Sequence, residues 1–486
     1  MRRSDDDADG RDPIEAVAPQ MPAASSVPTG GATATLPDDA VSAEPTVDVH
    51  LSSPSHAAVP GLPSHHGWRP HLWHGPGMVR RAFHGGRRAP VATAAALVVL
   101  AAVLWPMLSG RLFEHPAFRM SDLEVYRSAG DSLIYGRPLY SYLTPVPQLL
   151  PFTYPPFSAI VALPLALMGS LLTNWVWTLG TLAVLGWITL VSFRPFVRRF
   201  PTTYRPFFVV GVLAAMAWTL PARDCLHFGQ VGIFLVALCL LDCVLPKTRW
   251  PRGMMIGFAA AVKLVPGVFI PYLWLTGRRR AAVVAAAWFV GFSAATAIAM
   301  PSASKQYWTN TLFESGRLGN NAGTSNQSLR GMFLRWLPGH LGSALWIVSA
   351  VVVTVFAYRW ARAASNSGFE ARGVAIVGLL SVLVSPVSWI HHLAGWVPLL
   401  VGVLLGDGRD WRRVGYALLA TVFFILQIPW YGSTIVAKTA DWHVPGRILE
   451  SGFGLAALFA VWLLGRMEAR SKGQTSATRK ANAVSG

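Results

Sequence analysis

AAVVAAAWFVGFSAATAIAM, residues 281–300, carries no charged side chain and is entered through Arg278, Arg279 and Arg280. A helix needs roughly 20 predominantly apolar residues to cross the hydrocarbon core of a bilayer. Arginines clustered at one end of such a run mark the end that stays in the cytoplasm. Similar runs recur on both sides, at residues 92–108, 171–193, 231–245, 345–358 and 416–430. With 53% hydrophobic and only 13% charged residues, the chain has more apolar run than a soluble core could hide. Backbone polar groups at bilayer depth must be satisfied within their own segment, so the runs are expected to be helices. The sequence therefore predicts an all-α polytopic membrane protein.

The net charge of +18 is spread in short arginine clusters between the apolar runs. That pattern fits cytoplasmic anchors, and no soluble basic face with interleaved aromatics is present, which argues against nucleic acid as a partner. Cys225, Cys239 and Cys243 are too few and too apolar in context for a disulfide framework or a zinc site and read as packing residues. Residues 1–78 are rich in Ala, Pro, Ser, Asp and Gly and cannot bury a core, so they read as a disordered cytoplasmic tail. The same reading applies to 466–486, leaving 79–465 as the membrane domain. Met1-Arg2-Arg3 is followed by acidic residues, not by an apolar stretch, which argues against a signal peptide.

Applied along the chain, the positive-inside rule gives about twelve crossings with both termini cytoplasmic. The short apolar stretch 157–168 reads as an interfacial helix, which places Arg194, Arg198, Arg199 and Arg205 inside. Residues 253–262 and 265–275 are each too short to span and are separated by Lys263 and Pro266. They read as a pair that rises toward the outer side and returns, with Lys263 near the tip. Residues 416–430 are expected to cross and lead into an outer loop through Arg447. This topology collects Asp122, His227, Gln230, Lys263, Asn326, Gln327, His391, His392 and His443 at the outer face, where an active site would lie.

Asp122 suits a general base for an attacking hydroxyl, and equally a helix N-cap. Lys263, set in an apolar run, suits a lipid-linked phosphate, and equally a side chain snorkelling to headgroups. Asn326-Gln327-Ser328 offers amides for sugar hydroxyls, and Arg330 and Arg335 offer guanidinium groups for phosphate; a polar outer loop is the plainer reading. The same triplet matches the pattern of an N-glycosylation acceptor. Ser385-Pro-Val-Ser-Trp-Ile-His391-His392 is the sharpest string. Its adjacent histidines point about 100° apart on a helix and make a poor metal pair, but one could accept a proton or bind phosphate while Trp389 stacks on a sugar. His227, Gln230, Trp442 and His443 either line the same cavity or face water. Asp242, within the run 231–245, is the residue that best suits a transporter or flippase for a polyprenyl-linked sugar.

Together, Asp122…Tyr126, Gly136-Arg-Pro-Leu-Tyr140, Phe152-Thr-Tyr-Pro-Pro156, Gly229-Gln230, Lys263-Leu-Val-Pro266, Asn326-Gln-Ser328 and the His391-His392 string resemble glycosyltransferase family 87. The resemblance runs from about residue 89 to 465. It implies a GT-C type membrane bundle with interfacial helices in its outer loops, a polyprenyl-phosphate-mannose donor and a mannosylated envelope glycolipid as acceptor. It further implies transfer to a mannose hydroxyl, often as an α-1,2 linkage, with inversion and no covalent intermediate. On this pattern Asp122, His391 and His392 are the catalytic candidates and Lys263 and Arg330 bind the donor phosphate. Tyr126, Tyr154, Gln230, Asn326, Gln327 and Trp389 bind substrate, and no metal or other cofactor is expected. A GT-C enzyme using another lipid-linked sugar is the alternative within the same class.

Overall fold

The structure, a computed structural model, describes residues 89–112, 120–146, 148–439 and 442–467. The expected tail 1–78 lies outside the described residues, as does the expected tail 466–486 from residue 468 onward; the last helix runs to Met467, slightly past the boundary expected at residue 465. The described chain is helical throughout, broken only by turns and by the isolated bridges Leu143↔Pro151 and Asn326↔Trp389.

Among the described residues, four helices are long and apolar enough to cross a membrane: Pro90–Ser109, Ser170–Ser192, Arg279–Ala299 and His340–Asn366. Only 11% of the apolar window of the first and of the last is buried inside the protein. Side chains such as Val98, Leu97, Val348 and Val351 therefore stand exposed along helices of spanning length, which is stable where the surroundings are lipid. Counting three bent pairs as one span each raises the number to seven, and helices such as Gly232–Val244 and Trp396–Leu405 are apolar but shorter.

The bent pairs are a departure from the expected straight crossings. Arg205–Ala217 and Leu220–Phe228 meet at 68°, Trp411–Ile425 and Ile428–Lys438 at 52°, and His443–Glu450 and Gly452–Met467 at 61°. In the first two cases a proline, Pro221 or Pro429, opens the second arm, where a missing N–H costs nothing because the first turn has no partner for it. The segment expected to be a loop through Arg447 is thus largely helical.

Glu370–Val384 and Trp396–Leu405 form the centre, buried on nearly every side. A helix that is apolar all round belongs in such a position. Close approach is bought with glycine: a Cβ on Gly378 would fall 2.3 Å from the Trp396 ring, and one on Gly402 would fall 2.6 Å from the Ser192 carbonyl oxygen. Cys225, Cys239 and Cys243 are free and buried in this core, as packing residues.

The bundle has two chemically distinct ends. At one end Arg199 Nη1 donates to the Gly408 carbonyl (2.6 Å), Arg413 binds the carbonyls of Val403 and Leu404, and Arg278 pairs with Glu370 (2.7 Å). Arg252 likewise donates to the carbonyls of Asp242, Leu245 and Pro246 beyond the Gly232–Val244 helix. Gln230, Lys263 and His391-His392 lie at the other ends of the same helices.

Lys263 reaches that end on a hairpin. Met254–Val262 is nine residues, about 13 Å of helix, too short to cross. Lys263 then adopts an extended conformation (φ −150°, ψ 129°), and the chain returns through Val265–Val268 and Phe269–Leu275 to Arg278. Departure and return lie side by side: Gly253, at φ 97°, sits where a Cβ would be 2.0 Å from the Ala281 carbonyl oxygen. The expected rise and return, with Lys263 at the tip, is the geometry found.

Candidate active site

Asp122 stands in the first turn of Ser121–Ile134, a helix that packs on Pro156–Ala166 so closely that a Cβ on Gly130 would lie 2.7 Å from Ala166 Cβ. The residue in the N-cap position is Met120, in the left-handed region, and no side chain caps the helix. Asp122 is therefore not the N-cap. Its Oδ2 instead accepts a short hydrogen bond from Gln230 Nε2.

That bond depends on Gly229. This residue closes the Leu220–Phe228 helix at φ 69°, and a Cβ there would fall 2.7 Å from Leu123 Cβ and 3.0 Å from Met120 Cβ. Gly229→Ala should combine left-handed strain with overpacking, roughly 2 kcal/mol or more. The expected result is a clearly lowered melting temperature in detergent and at least a tenfold loss of activity; an unchanged melting curve would show that the two helices separate without cost.

Around Asp122 the side chains form a continuous set. Tyr126 Oη donates to Gln230 Oε1 (3.3 Å) and lies 3.1 Å from Tyr154 Oη. The Tyr154 ring lies under the Lys263 ammonium, 5.1 Å from centroid to Nζ, a cation–π arrangement. Lys263 Nζ is in turn 2.9 Å from His392 Nε2. An ammonium can only donate, so Nε2 is the acceptor and His392 is the neutral tautomer protonated on Nδ1. Burial, followed by the charge of Lys263, holds both His391 and His392 well below the usual imidazole range.

Desolvation also pushes the Asp122 carboxyl up to about 6, against the opposing effects of Gln230 and Lys263. It pulls the Lys263 ammonium down to about 8, with Asp122 opposing. Each group feels the other's charge. His391 is 5% exposed, and its Nε2 has no hydrogen-bond partner among the described residues. A buried ring nitrogen without a partner is costly and needs a reason, and a substrate hydroxyl is one. An apolar pocket opens beside Lys263 and His392, walled by Leu235, Val236, Val265, Phe269 and Trp396.

Three expected site residues have other work. Asn326 and Gln327 are fully buried. Asn326 Oδ1 accepts from the Ser388 and Ser328 amides (2.9 and 3.2 Å), and its Nδ2 donates to Asn321 O (2.8 Å). Gln327 N donates to Ser388 O (2.7 Å), while the Gln327 side chain binds the Glu450 carbonyl and the Gly454 amide (both 2.9 Å). With their polar atoms spent in this way, the two amides are not free for sugar. They clamp the strand-like residues before His391-His392, and Asn326 pairs directly with Trp389. Arg330 donates to Ser315 Oγ (2.8 Å) and stacks over Trp346, bracing the turn beside Trp389 and making no described contact with Lys263.

Arg335 and Glu450 complete the brace. Arg335 binds the carbonyls of Gly323 and Asn326 and the Ser451 hydroxyl, and Glu450 takes Thr324 Oγ1 (2.7 Å) and Arg447 (2.8 Å). The part played by Glu450 was not foreseen; its only signal in the sequence is a carboxylate three residues after an arginine at the edge of an apolar run. Asp242 is also structural: it accepts from Trp250 Nε1 (3.0 Å) and the Ile256 amide (2.9 Å), tying the Gly232–Val244 helix to the foot of the hairpin. This removes the residue that best suited a transporter. His227 packs edge-on against Phe228, whereas Trp442 and His443 are exposed.

The arrangement brings a carboxylate, a lysine and two neutral histidines together, and of these Lys263 and His392 line an apolar pocket. Residues 152–386 match the model of glycosyltransferase family 87. A polyprenol-phosphate-mannose-dependent alpha-(1-2)-phosphatidylinositol mannoside mannosyltransferase of Mycobacterium tuberculosis is 34% identical over 340 residues, which is 66% of this chain and 78% of that protein. The chain belongs to glycosyltransferase family 87.

A second relative from M. tuberculosis, named for phosphatidylinositol pentamannoside, is 30% identical over 335 residues, covering 66% of this chain and 75% of its own. Among solved structures, ArnT from Cupriavidus metallidurans bound to undecaprenyl phosphate aligns over 78% of this chain and 77% of its own, with TM-score 0.36 and 15% identity. The family 87 match covers Tyr154, Gln230, Lys263 and the Asn326 clamp; Asp122 lies before it and His391-His392 just after it.

Proposed function

We propose that this glycosyltransferase moves mannose from polyprenyl-phosphate-mannose to a mannose hydroxyl of a phosphatidylinositol-mannoside-type glycolipid, forming an α-(1→2) bond by one inverting displacement. The observation that carries the reading is the joined set Asp122–Gln230–Tyr126–Tyr154–Lys263–His392, which links a base to a cation that lines an apolar pocket. The relatives' names supply the donor, the sugar and the linkage.

In this reaction Asp122 accepts the proton of the attacking hydroxyl as the new C1–O bond forms. The bond from C1 to the phosphate oxygen breaks on the opposite face, and its electron pair leaves with the polyprenyl phosphate. Lys263 stabilises that growing negative charge, held in place by His392 and by the face of Tyr154. His391 Nε2 accepts a hydrogen bond from a substrate hydroxyl. The arginine-rich end faces the cytoplasm and the site faces outward, with both termini cytoplasmic, because basic loops stay on the inner side.

Purified protein in lipid vesicles, given radiolabelled polyprenyl-phosphate-mannose and phosphatidylinositol mannoside, should produce labelled glycolipid sensitive to an exo-α-mannosidase. No labelled product from any mannosylated acceptor would remove this reading. The pH dependence has a defined form. Asp122 must be deprotonated, so kcat/KM falls as pH drops through about 6; Lys263 must be protonated, so it falls again as pH rises through about 8. A profile flat from pH 5 to 9 would exclude both groups.

A further inference from the structure

We propose that Tyr126 is a positioning residue for Asp122, acting through Gln230: its hydroxyl holds the Gln230 amide in the one orientation that presents Nε2 to Asp122 Oδ2. The inference rests on the reading of Asp122 as the base.

The hydrogen-bond directions follow from counting protons. A phenol has one O–H proton, and that of Tyr126 goes to Gln230 Oε1 (3.3 Å). The Val231 amide also donates to Tyr126 Oη (3.5 Å), so that oxygen serves as an acceptor from its other neighbours. Tyr154 Oη, at 3.1 Å, must then be the donor in its contact with Tyr126. Tyr154 is fixed in turn, since Tyr140 Oη donates to its carbonyl (2.8 Å). The result is a directed chain, Tyr154 to Tyr126 to Gln230 to Asp122, each donor polarising the next. Gln230 is 3% exposed and Tyr126 is 6% exposed, so neither is placed to meet a sugar broadly.

The chain has a purpose that an ionised Asp122 alone would not need. A carboxylate by itself attracts the NH2 side of an amide. Once Asp122 has taken the hydroxyl proton it is neutral, and the Gln230 amide could turn over and offer Oε1 to the new acid. Tyr126 prevents this by keeping Oε1 occupied. Oδ2 therefore remains the hydrogen-bond acceptor throughout, and the proton goes to Oδ1, which has no protein partner among the described residues. The titratable groups facing Asp122 are Lys263 at the hairpin tip, Tyr154 ahead of the Pro156–Ala166 helix, Cys225 on Leu220–Phe228 and Tyr126 on its own helix. Burial keeps both phenols neutral, so the acid limb of the rate profile reports Asp122.

The test is Tyr126→Phe, which removes one oxygen and keeps the ring against Tyr154 and Trp177. The expected result is a kcat about tenfold lower with donor KM unchanged, and an acid limb of kcat/KM moved up by about half a pH unit, as expected when one hydrogen bond to the carboxylate weakens. Tyr154→Phe, one link further away, should move the limb in the same direction by less, and it decides the matter if Tyr126→Phe cannot be recovered folded. Wild-type kcat and an unmoved acid limb in the folded variant would overturn the inference. Asp122→Asn, assayed in parallel, separates the two claims. If it is inactive while Tyr126→Phe behaves as wild type, only the positioning role fails; if it is active, the reading of Asp122 as the base fails.

Discussion

Asp122→Asn should lose transfer activity by about three orders of magnitude, within the roughly 10²–10⁴ that a positioned general base contributes. The substitution keeps the side chain's shape, and the Asn carbonyl can still accept from Gln230 Nε2. It removes the negative charge and with it the capacity to take a proton. Stability should not suffer. The folded carboxyl is raised to about 6 from its ordinary 3.8, so its ionised form destabilises the fold fully above about pH 6, and the cost disappears as pH falls below 3.8. At pH 7.5 the Asn variant should therefore be at least as resistant to thermal unfolding in detergent as the wild type, with the margin shrinking in acid. An inactive protein with an unaltered or raised melting temperature is the expected combination. Retained activity would take Asp122 out of the chemistry.

Lys263→Met should cost about 10²–10³ in kcat, the range for removing one group that stabilises developing negative charge. Methionine fits the apolar surroundings of the hairpin tip, where Val262, Val265 and Pro266 flank the lysine, so the fold should persist. Two further changes follow from the geometry. The alkaline limb near pH 8 disappears, since the group responsible is gone. The acid limb moves to higher pH, because the positive charge that opposes desolvation of Asp122 is removed. A variant with normal kcat and an alkaline limb still near pH 8 would mean that another cation faces the leaving phosphate.

The hairpin at Lys263 was legible because three local signals agree: a lone cation in an apolar run, a proline three residues later, and arms each shorter than a span. Asp122 and His391-His392 could be read as chemistry, but nothing local says that they meet. That depends on Gly229 letting the Leu220–Phe228 helix close onto Leu123, a contact between residues about a hundred positions apart. Asn326 and Gln327 show the opposite failure. An amide that binds sugar hydroxyls and one that binds backbone have the same donors and acceptors, and only burial separates them. The bends near residues 218, 426 and 451 were hidden because hydropathy continues across them, although Pro221 and Pro429 were visible signals. The charge pattern alone separates the arginine loops from the reactive groups, because each set occupies the same ends of successive helices.

The central claim is a single displacement in which Asp122 activates the acceptor while Lys263 receives the departing phosphate. Its most direct test is the configuration of the new bond, measured by the one-bond carbon–hydrogen coupling at C1 of ¹³C-mannose transferred from a β-linked polyprenyl-phosphate donor. An α-mannoside is the predicted product. A β-mannoside would mean net retention of configuration, which a single in-line displacement cannot give, and would contradict the account.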